Sequence, residues 1–347
     1  MKKYKLAIYS PVKDETRLKE WILYYKKLEI DLFIILDDFS KISPKVYFEE
    51  LNMTNYVIVK GDKPNWDYKT LKRNVEGSYS RTKVFDNHII PICKKHNIDY
   101  LLHFDSDEFL YLNKFKNIQE MLHHYQPFDE LNINWLIFSD MCLKENKTNS
   151  LIKSSNKSGK YLNHYTKSII KVSSIITGRN AHNCLIKENS VIKNILNKII
   201  SSLENNCVVN IGKFSYKKAP IFIAHYVYKD ITNYVEKKLI KIDGNFTGIF
   251  SKWYFSDPDN VEIRKEKQDL IKYHTEHKND LIDYIYSLRT KDEINIKKLE
   301  NKHKVFKKNK EYYKRYYTFY GHDFENKLPN GEDYYIKNRL LINFLYF

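Results

Sequence analysis

Glycine and proline are scarce, 9 and 8 residues in a chain of 347. With 42% hydrophobic and 15% aromatic residues beside them, the sequence is that of a globular protein rather than a disordered one. It has no glycine-rich loop to cradle phosphate, which argues against nucleotidyltransferases and phosphohydrolases that use the same kind of carboxylates. Cysteine is also rare. Cys93, Cys142, Cys184 and Cys207 form no C-x-x-C pair and suggest neither a zinc site nor a disulfide framework. No apolar run approaches the roughly 20 residues needed to cross a bilayer. The run after Lys5, broken by Pro11 and Lys13, is too short for the core of a signal peptide. The expectation is a cytoplasmic protein without a transmembrane segment. No internal repeat and no sustained heptad can be detected.

What is present is charge and aromatic surface. The 59 Lys and Arg against 43 Asp and Glu give a net charge of +16, a balance that favours nucleotide diphosphates, nucleic acid or acidic membrane surfaces as partners. The length suits one large or two ordinary domains. The expected division is a main domain over residues 1–258 and a basic, Tyr- and Lys-rich, mainly helical extension over 259–347. In the extension, Lys307 to Tyr317 interleaves Lys and Arg with Tyr. One reading is a solvated helical appendage that packs an aromatic stripe and could join copies into a homo-oligomer. The other is a surface for anionic polymer or for peripheral contact with a membrane.

Along the main domain, Leu6 to Ser10 reads as a strand closed by Pro11. Leu18, Trp21, Ile22, Tyr25 and Leu28 then recur at helical spacing, and Leu32 to Leu36 is an apolar run of strand length. Strand, helix, strand is a βαβ unit with a parallel sheet. Tyr56 to Lys60 reads as a third strand, Arg81 to His96 as a helix and Tyr100 to Phe104 as a fourth strand. Further on, Ile118 to Tyr125 looks helical, and Glu130 to Phe138, Lys167 to Val172 and Ile221 to Ala224 look extended. Residues 144–160 are Lys-, Asn- and Ser-rich and read as a loop. The fold class expected is α/β, a nucleotide-binding sandwich around a mixed, mainly parallel sheet, followed by helices.

The most informative stretch is Asp105-Ser106-Asp107-Glu108-Phe109, at the end of the fourth strand. Ligands of α/β sheets sit at the carboxyl ends of strands, and two carboxylates fixed there can hold Mg²⁺ or Mn²⁺. Alone, such a pair can equally well cap the next helix.

The pair has company. Lys13-Asp14-Glu15, Glu20-Trp21, Tyr24-Tyr25, Leu28-Glu29-Ile30-Asp31, Asp37-Asp38-Phe39-Ser40 and Asp105 to Phe109 together resemble the family 2-like and family 92-like glycosyltransferases. Those proteins carry an N-E-x-x-x-L-x-E-W helix, a G-[IV]-D turn, an acidic strand end and D-x-D-E-F, and the resemblance spans about residues 5–240. It implies a GT-A type fold. It also implies a metal-dependent glycosyltransferase, of hexosyl or N-acetylhexosaminyl type, that uses a nucleotide sugar, UDP-linked by expectation, and a glycan or protein acceptor. Three departures stand out: Asp14 replaces Asn, Glu29 replaces the turn glycine, and Phe138-Ser139-Asp140 follows Asn134-Trp135 where an aromatic and glycine are usual.

By the same resemblance, Asp107 holds the metal, Mn²⁺ or Mg²⁺, with Asp105 as direct or indirect partner. His225 is the third ligand, and His182 is the runner-up. Either histidine could instead satisfy buried hydrogen bonds. The nucleotide is expected against Pro11, Val12, Lys13 and Glu15, with Asp38 on the base or ribose and Asp105 and Ser106 beside it. Asp37 is better read as capping its own turn. Arg81 could reach a phosphate or lie at the surface. Lys167 matches a lysine of similar sequences, with no role to assign. Asp140 is the expected general base if transfer inverts configuration, and Glu108 is expected to support the loop. The competing class is a basic nucleic-acid- or surface-binding protein with an inactive GT-A-like domain.

Overall fold

The computed structural model describes residues 3–60, 66–67, 72–73, 81–139, 150–154, 158–179, 182–200, 208–228, 230–236, 261–310 and 313. They fall into two compact units, one within Met1–Ile137 and Lys160–His225, the other within Phe138–Gly159 and Tyr226–Gly331.

The first unit is built on a parallel ladder. Strand β1 (Leu6–Val12) leads through helix α1 (Leu18–Lys27) to β2 (Leu32–Asp37), and α2 (Lys45–Glu50) leads to β3 (Tyr56–Lys60). β1 pairs in parallel with β2, and β2 with β3. A two-stranded antiparallel ribbon follows, β4 (Trp66–Asp67) with β5 (Lys72–Arg73). Helix α3 (Arg81–Val84) continues through a wide π-type turn at Phe85–Ile89 into α4 (Ile90–Lys95). Pro91 explains the wide turn: it lacks an N–H and its ring crowds the preceding carbonyls, so the helix opens by one residue just before it. The chain then enters β6 (Tyr100–His103), which pairs in parallel with the other side of β1. Pro11, expected to end β1, is instead part of it. Only Leu6 to Tyr9 pair with β6, so the missing N–H of Pro11 lies past the end of that ladder.

Beyond β6 the sheet becomes mixed. After β7 (Glu108–Tyr111), α5 (Ile118–Tyr125), β8 (Glu130–Ser139) and α6 (Leu151–Ser154) comes β9 (Thr166–Lys171), antiparallel to both β6 and β8. A small antiparallel pair, β10 (Ile175–Gly178) with β11 (Cys184–Ile186), precedes β12 (Ile192–Asn194), which runs parallel to β8. The last strand, β13 (Phe222–Tyr228), pairs antiparallel with β7 through Phe222 to His225. The order across the nine-stranded sheet is β3-β2-β1-β6-β9-β8-β13-β7, with β12 on β8. The protein is thus α/β around a large mixed sheet.

Both faces of the parallel part are apolar. Ala7, Tyr9, Ile34, Leu101 and Ile170 pack one face against Val84, Phe85, Ile89 and Cys93. On α1, Trp21, Ile22 and Tyr25 are fully buried, as their spacing predicted, with the Trp21 ring edge-on to Phe33. Helix α1 ends in a Schellman turn: Ile30 N–H bonds Tyr25 O at 3.2 Å and Glu29 N–H bonds Lys26 O at 3.1 Å. Glu29 takes the left-handed conformation there, φ 58°, which glycine adopts without a Cβ clash.

In the second unit, helices α7 (Ile231–Tyr234), α8 (Val261–Glu276), α9 (Lys278–Thr290), α10 (Glu293–Lys302) and α11 (Lys304–Lys308) follow in order. Their core includes Leu281, Tyr284, Ile285, Ile296, Leu299, Phe306 and Tyr313. His274 and Tyr313 are joined side chain to side chain at 2.9 Å. Among the described residues no helix is long and apolar enough to cross a membrane.

Candidate active site

The parallel register puts the carboxyl ends of β1, β2 and β6 on one edge of the sheet, with Val12 opposite Asp37 and Tyr9 opposite His103. Two loops meet there and hold each other. Asp14 N–H bonds Ser40 Oγ at 3.1 Å, and Lys41 N–H bonds Asp14 Oδ1 at 2.8 Å. Asp37 accepts the Ser40 N–H at 2.9 Å and so caps its own turn, as expected. Lys13 Nζ lies 3.5 Å from Asp38 Oδ2, which places these two members of the expected nucleotide set side by side. Glu15 instead accepts the Arg17 N–H at 3.0 Å, at the entry to α1. Pro11 is exposed and Val12 buried. The Arg81 side chain and Asp140 lie outside the described residues.

The Asp105–Glu108 turn is organised by a lysine. Lys167, on β9 with its side chain wholly buried, sits 2.7 Å from Asp105 Oδ2 and 3.6 Å from Glu108 Oε2. Burial pushes the Asp105 carboxyl up, but the Lys167 ammonium and its hydrogen bond, helped by His103 and His182, hold it well below the usual carboxylate range. Burial raises Glu108 well above its ordinary value despite Lys167, and the charges of Asp105 and Asp107 add to the rise. One ammonium thus lies between two carboxylates, nearer Asp105 than Glu108. Glu108 Oε2 accepts the Asp105 N–H at 2.9 Å, the loop-supporting role expected of it. Ser106 is buried within the turn.

Glu108 stands opposite His225 in the β7–β13 register. Asp107 Oδ1 and His225 Nε2 are 3.6 Å apart. Two ligands bound at about 2.0–2.2 Å to one cation are about 3.0–3.6 Å apart, so this oxygen–nitrogen pair fits a shared divalent ion with little movement. Asp105 is engaged by Lys167, and Asp105, Asp107 and His225 do not offer three donors within 4.8 Å of one another. A divalent ion here would complete its shell with water or ligand oxygens.

His225 packs on Trp135, ring centroids 4.3 Å apart, and Trp135 also meets His182 at 5.2 Å and Tyr165 at 5.6 Å. His182 Nδ1 lies 2.7 Å from Thr166 O. A carbonyl only accepts, so Nδ1 carries the hydrogen of that bond and the ring is held by it. Glu108 Oε1, Asn132 Nδ2, Asn134 Oδ1 and Trp135 Nε1 are buried without hydrogen-bond partners among the described residues. Such atoms are few in folded proteins, and each suits a place where solvent or ligand completes the bonding.

Sequence reasoning left two features out. Lys167 had no role; it lies in the strand Thr166–Lys171, whose first five residues are buried, and a lysine buried there needs a carboxylate partner. The rings around Trp135 come from separate stretches, and no local pattern announces them.

No family model matches the chain, and no curated protein does. Among solved structures, HddC from Yersinia pseudotuberculosis aligns at 10% identity and TM-score 0.29, covering 55% of this chain and 89% of that one. Its complex with GMP-PN aligns at 8% identity with the same TM-score, 0.29, and the same coverage. Likenesses this distant leave the site to be read from its own atoms.

Proposed function

We propose that the chain is a metal-dependent glycosyltransferase of GT-A type, akin to the family 2-like and family 92-like enzymes. It would move a sugar from a nucleoside diphosphate, UDP in this reading, to an acceptor hydroxyl. The observation that carries the proposal is the Asp107–His225 pair, 3.6 Å apart, beside the carboxyl ends of the parallel strands.

In this reading Asp107 and His225 hold Mn²⁺ or Mg²⁺. When bound, the ion supplies positive charge against the developing charge of the departing diphosphate. Asp105, kept ionised by Lys167, is an acceptor for donor hydroxyls. Lys13 and Asp38, with Pro11 and Val12, border the base and ribose. Trp135 offers a flat apolar face near the transferred sugar. Asp140 is the proposed base for an acceptor hydroxyl, with inversion of configuration.

The test is UDP binding by calorimetry with and without Mn²⁺, in the wild type and in Asp107→Ala. The expected result is Mn²⁺-dependent binding that weakens about 100-fold or more in the variant. Binding that ignores both the ion and the substitution would overturn the assignment.

A further inference from the structure

A second constellation of ligating side chains lies in the helical unit, at two breaks between helices. His277 separates α8 from α9, and His303 separates α10 from α11. Asp280, in the first turn of α9, completes a group whose donor atoms lie within 4.8 Å of one another. We propose that His277, Asp280 and His303 bind a divalent transition metal of the zinc class, pinning the α8–α9 junction to the α10–α11 junction.

His303 is already oriented as a ligand would be. Its Nε2 is 2.8 Å from Asp280 Oδ2, and its Nδ1 is 2.7 Å from the Tyr273 hydroxyl. A carboxylate only accepts, so Nε2 carries a hydrogen in the metal-free ring and Nδ1 accepts from Tyr273. Metal binding at Nε2 exchanges that hydrogen for one on Nδ1, which then donates to the Tyr273 oxygen. A neutral ring gains and loses one proton in the exchange, and Tyr273 becomes the outer partner that fixes it.

His277 is half-buried, its side chain has no hydrogen-bond partner among the described residues, and its ring lies 4.8 Å from that of His303. Ligands on zinc are about 3.2–3.6 Å apart, so donors as far as 4.8 Å apart must close by up to roughly 1.2–1.6 Å, within the swing of an imidazole. Asp280 is held below the usual carboxylate range, chiefly by the hydrogen bond from Lys302 and then, against a burial effect that raises it, by that from His303. It is therefore ionised and ready to ligate. Lys302 Nζ sits 2.8 Å from the same oxygen, but its side chain is 60% exposed and can turn into solvent at small cost. Two imidazole nitrogens and one carboxylate leave a fourth position for water. This donor set suits Zn²⁺, Co²⁺ or Ni²⁺ better than Mg²⁺, which prefers oxygen alone.

The test uses the tag-free full chain, stripped of metal and titrated with Co²⁺ while visible absorption is followed. The expected result is one saturable equivalent with ligand-field bands, displaced by Zn²⁺ and absent or at least tenfold weaker in His277→Gln and Asp280→Asn. Both substitutions lie at half-buried positions, and circular dichroism confirms that the helices persist. Asp107→Ala should keep the bands, which separates this site from the proposed active site. No saturable equivalent, unchanged binding in the two variants, or loss of the bands in Asp107→Ala would each overturn the proposal. Zn²⁺ should also raise the melting temperature of the wild type and not that of His277→Gln.

Discussion

The sheet changes character between β6 and β9. On the parallel side, all six residues of β2 are buried, and Leu32 to Leu36 are apolar. On the antiparallel side, Glu130, Asn132, Asn134, Thr166, Lys167 and Ser168 are just as buried and all polar. Burial of Leu or Ile stabilises by removing surface from water and asks for nothing more. Burial of Lys or Glu has to be matched atom by atom. The parallel side therefore supplies an apolar edge, and the antiparallel side supplies Lys167, the buried charge that meets the turn.

The largest expected effect breaks the contrast at Lys167. Lys167→Met removes the cation between Asp105 and Glu108 and should cost about 2–3 kcal/mol, less than loss of one partner of a fully buried pair because the Asp105 side chain is 35% exposed. Urea unfolding measures it, and a companion Asp105→Asn should recover part of the loss. A cost below about 1 kcal/mol would mean that the antiparallel side tolerates charge as a surface does.

Glu130 sharpens the contrast through pH. Burial raises its carboxyl to about 7, against the hydrogen bond from the Ser168 hydroxyl that lowers it. Because the folded value exceeds the unfolded one, the folded protein binds more protons between about pH 4.5 and 7. Its contribution is complete below that window and is lost as pH rises through about 7. Glu130→Gln should abolish this component, up to about 3 kcal/mol, bringing the urea midpoints at acid and mildly alkaline pH closer together.

The smallest effect lies on the parallel side, where backbone rather than charge is under strain. Glu29→Gly should stabilise by about 1 kcal/mol, because glycine holds the left-handed turn without a Cβ clash. A rise of the melting temperature by several degrees checks it.

Much of the parallel side was legible in the sequence. Strands β1 to β3, α1, β6 and α5 lie within two or three residues of their expected bounds, since continuous apolar runs and helical spacing report burial directly. Strand β7 was not seen, because Glu108 to Tyr111 directly follows the acidic turn and reads as part of it. Of the candidate site, the turn is legible from the strand end before it, while Asp38 with Lys13 and His225 with Asp107 are expected only from the family resemblance. The engagement of Asp105 by Lys167 follows from neither, because an ion pair between residues 62 apart is set by sheet order rather than by any local pattern.

Strand β7 ends the sheet, and its outer backbone groups belong to α1. Trp21 Nε1 and the Tyr25 hydroxyl both donate to Glu108 O, at 3.2 and 3.0 Å. The Tyr25 hydroxyl also accepts the Leu110 N–H at 3.1 Å, and the Tyr24 hydroxyl donates to Leu110 O at 2.6 Å. A terminal strand normally offers such groups to any passing extended chain, and so invites stacking of copies into insoluble fibres. Here three aromatic side chains have taken them. The Trp and Tyr residues of α1 therefore bear on solubility, in a way that no inventory of ligands or charges would reveal.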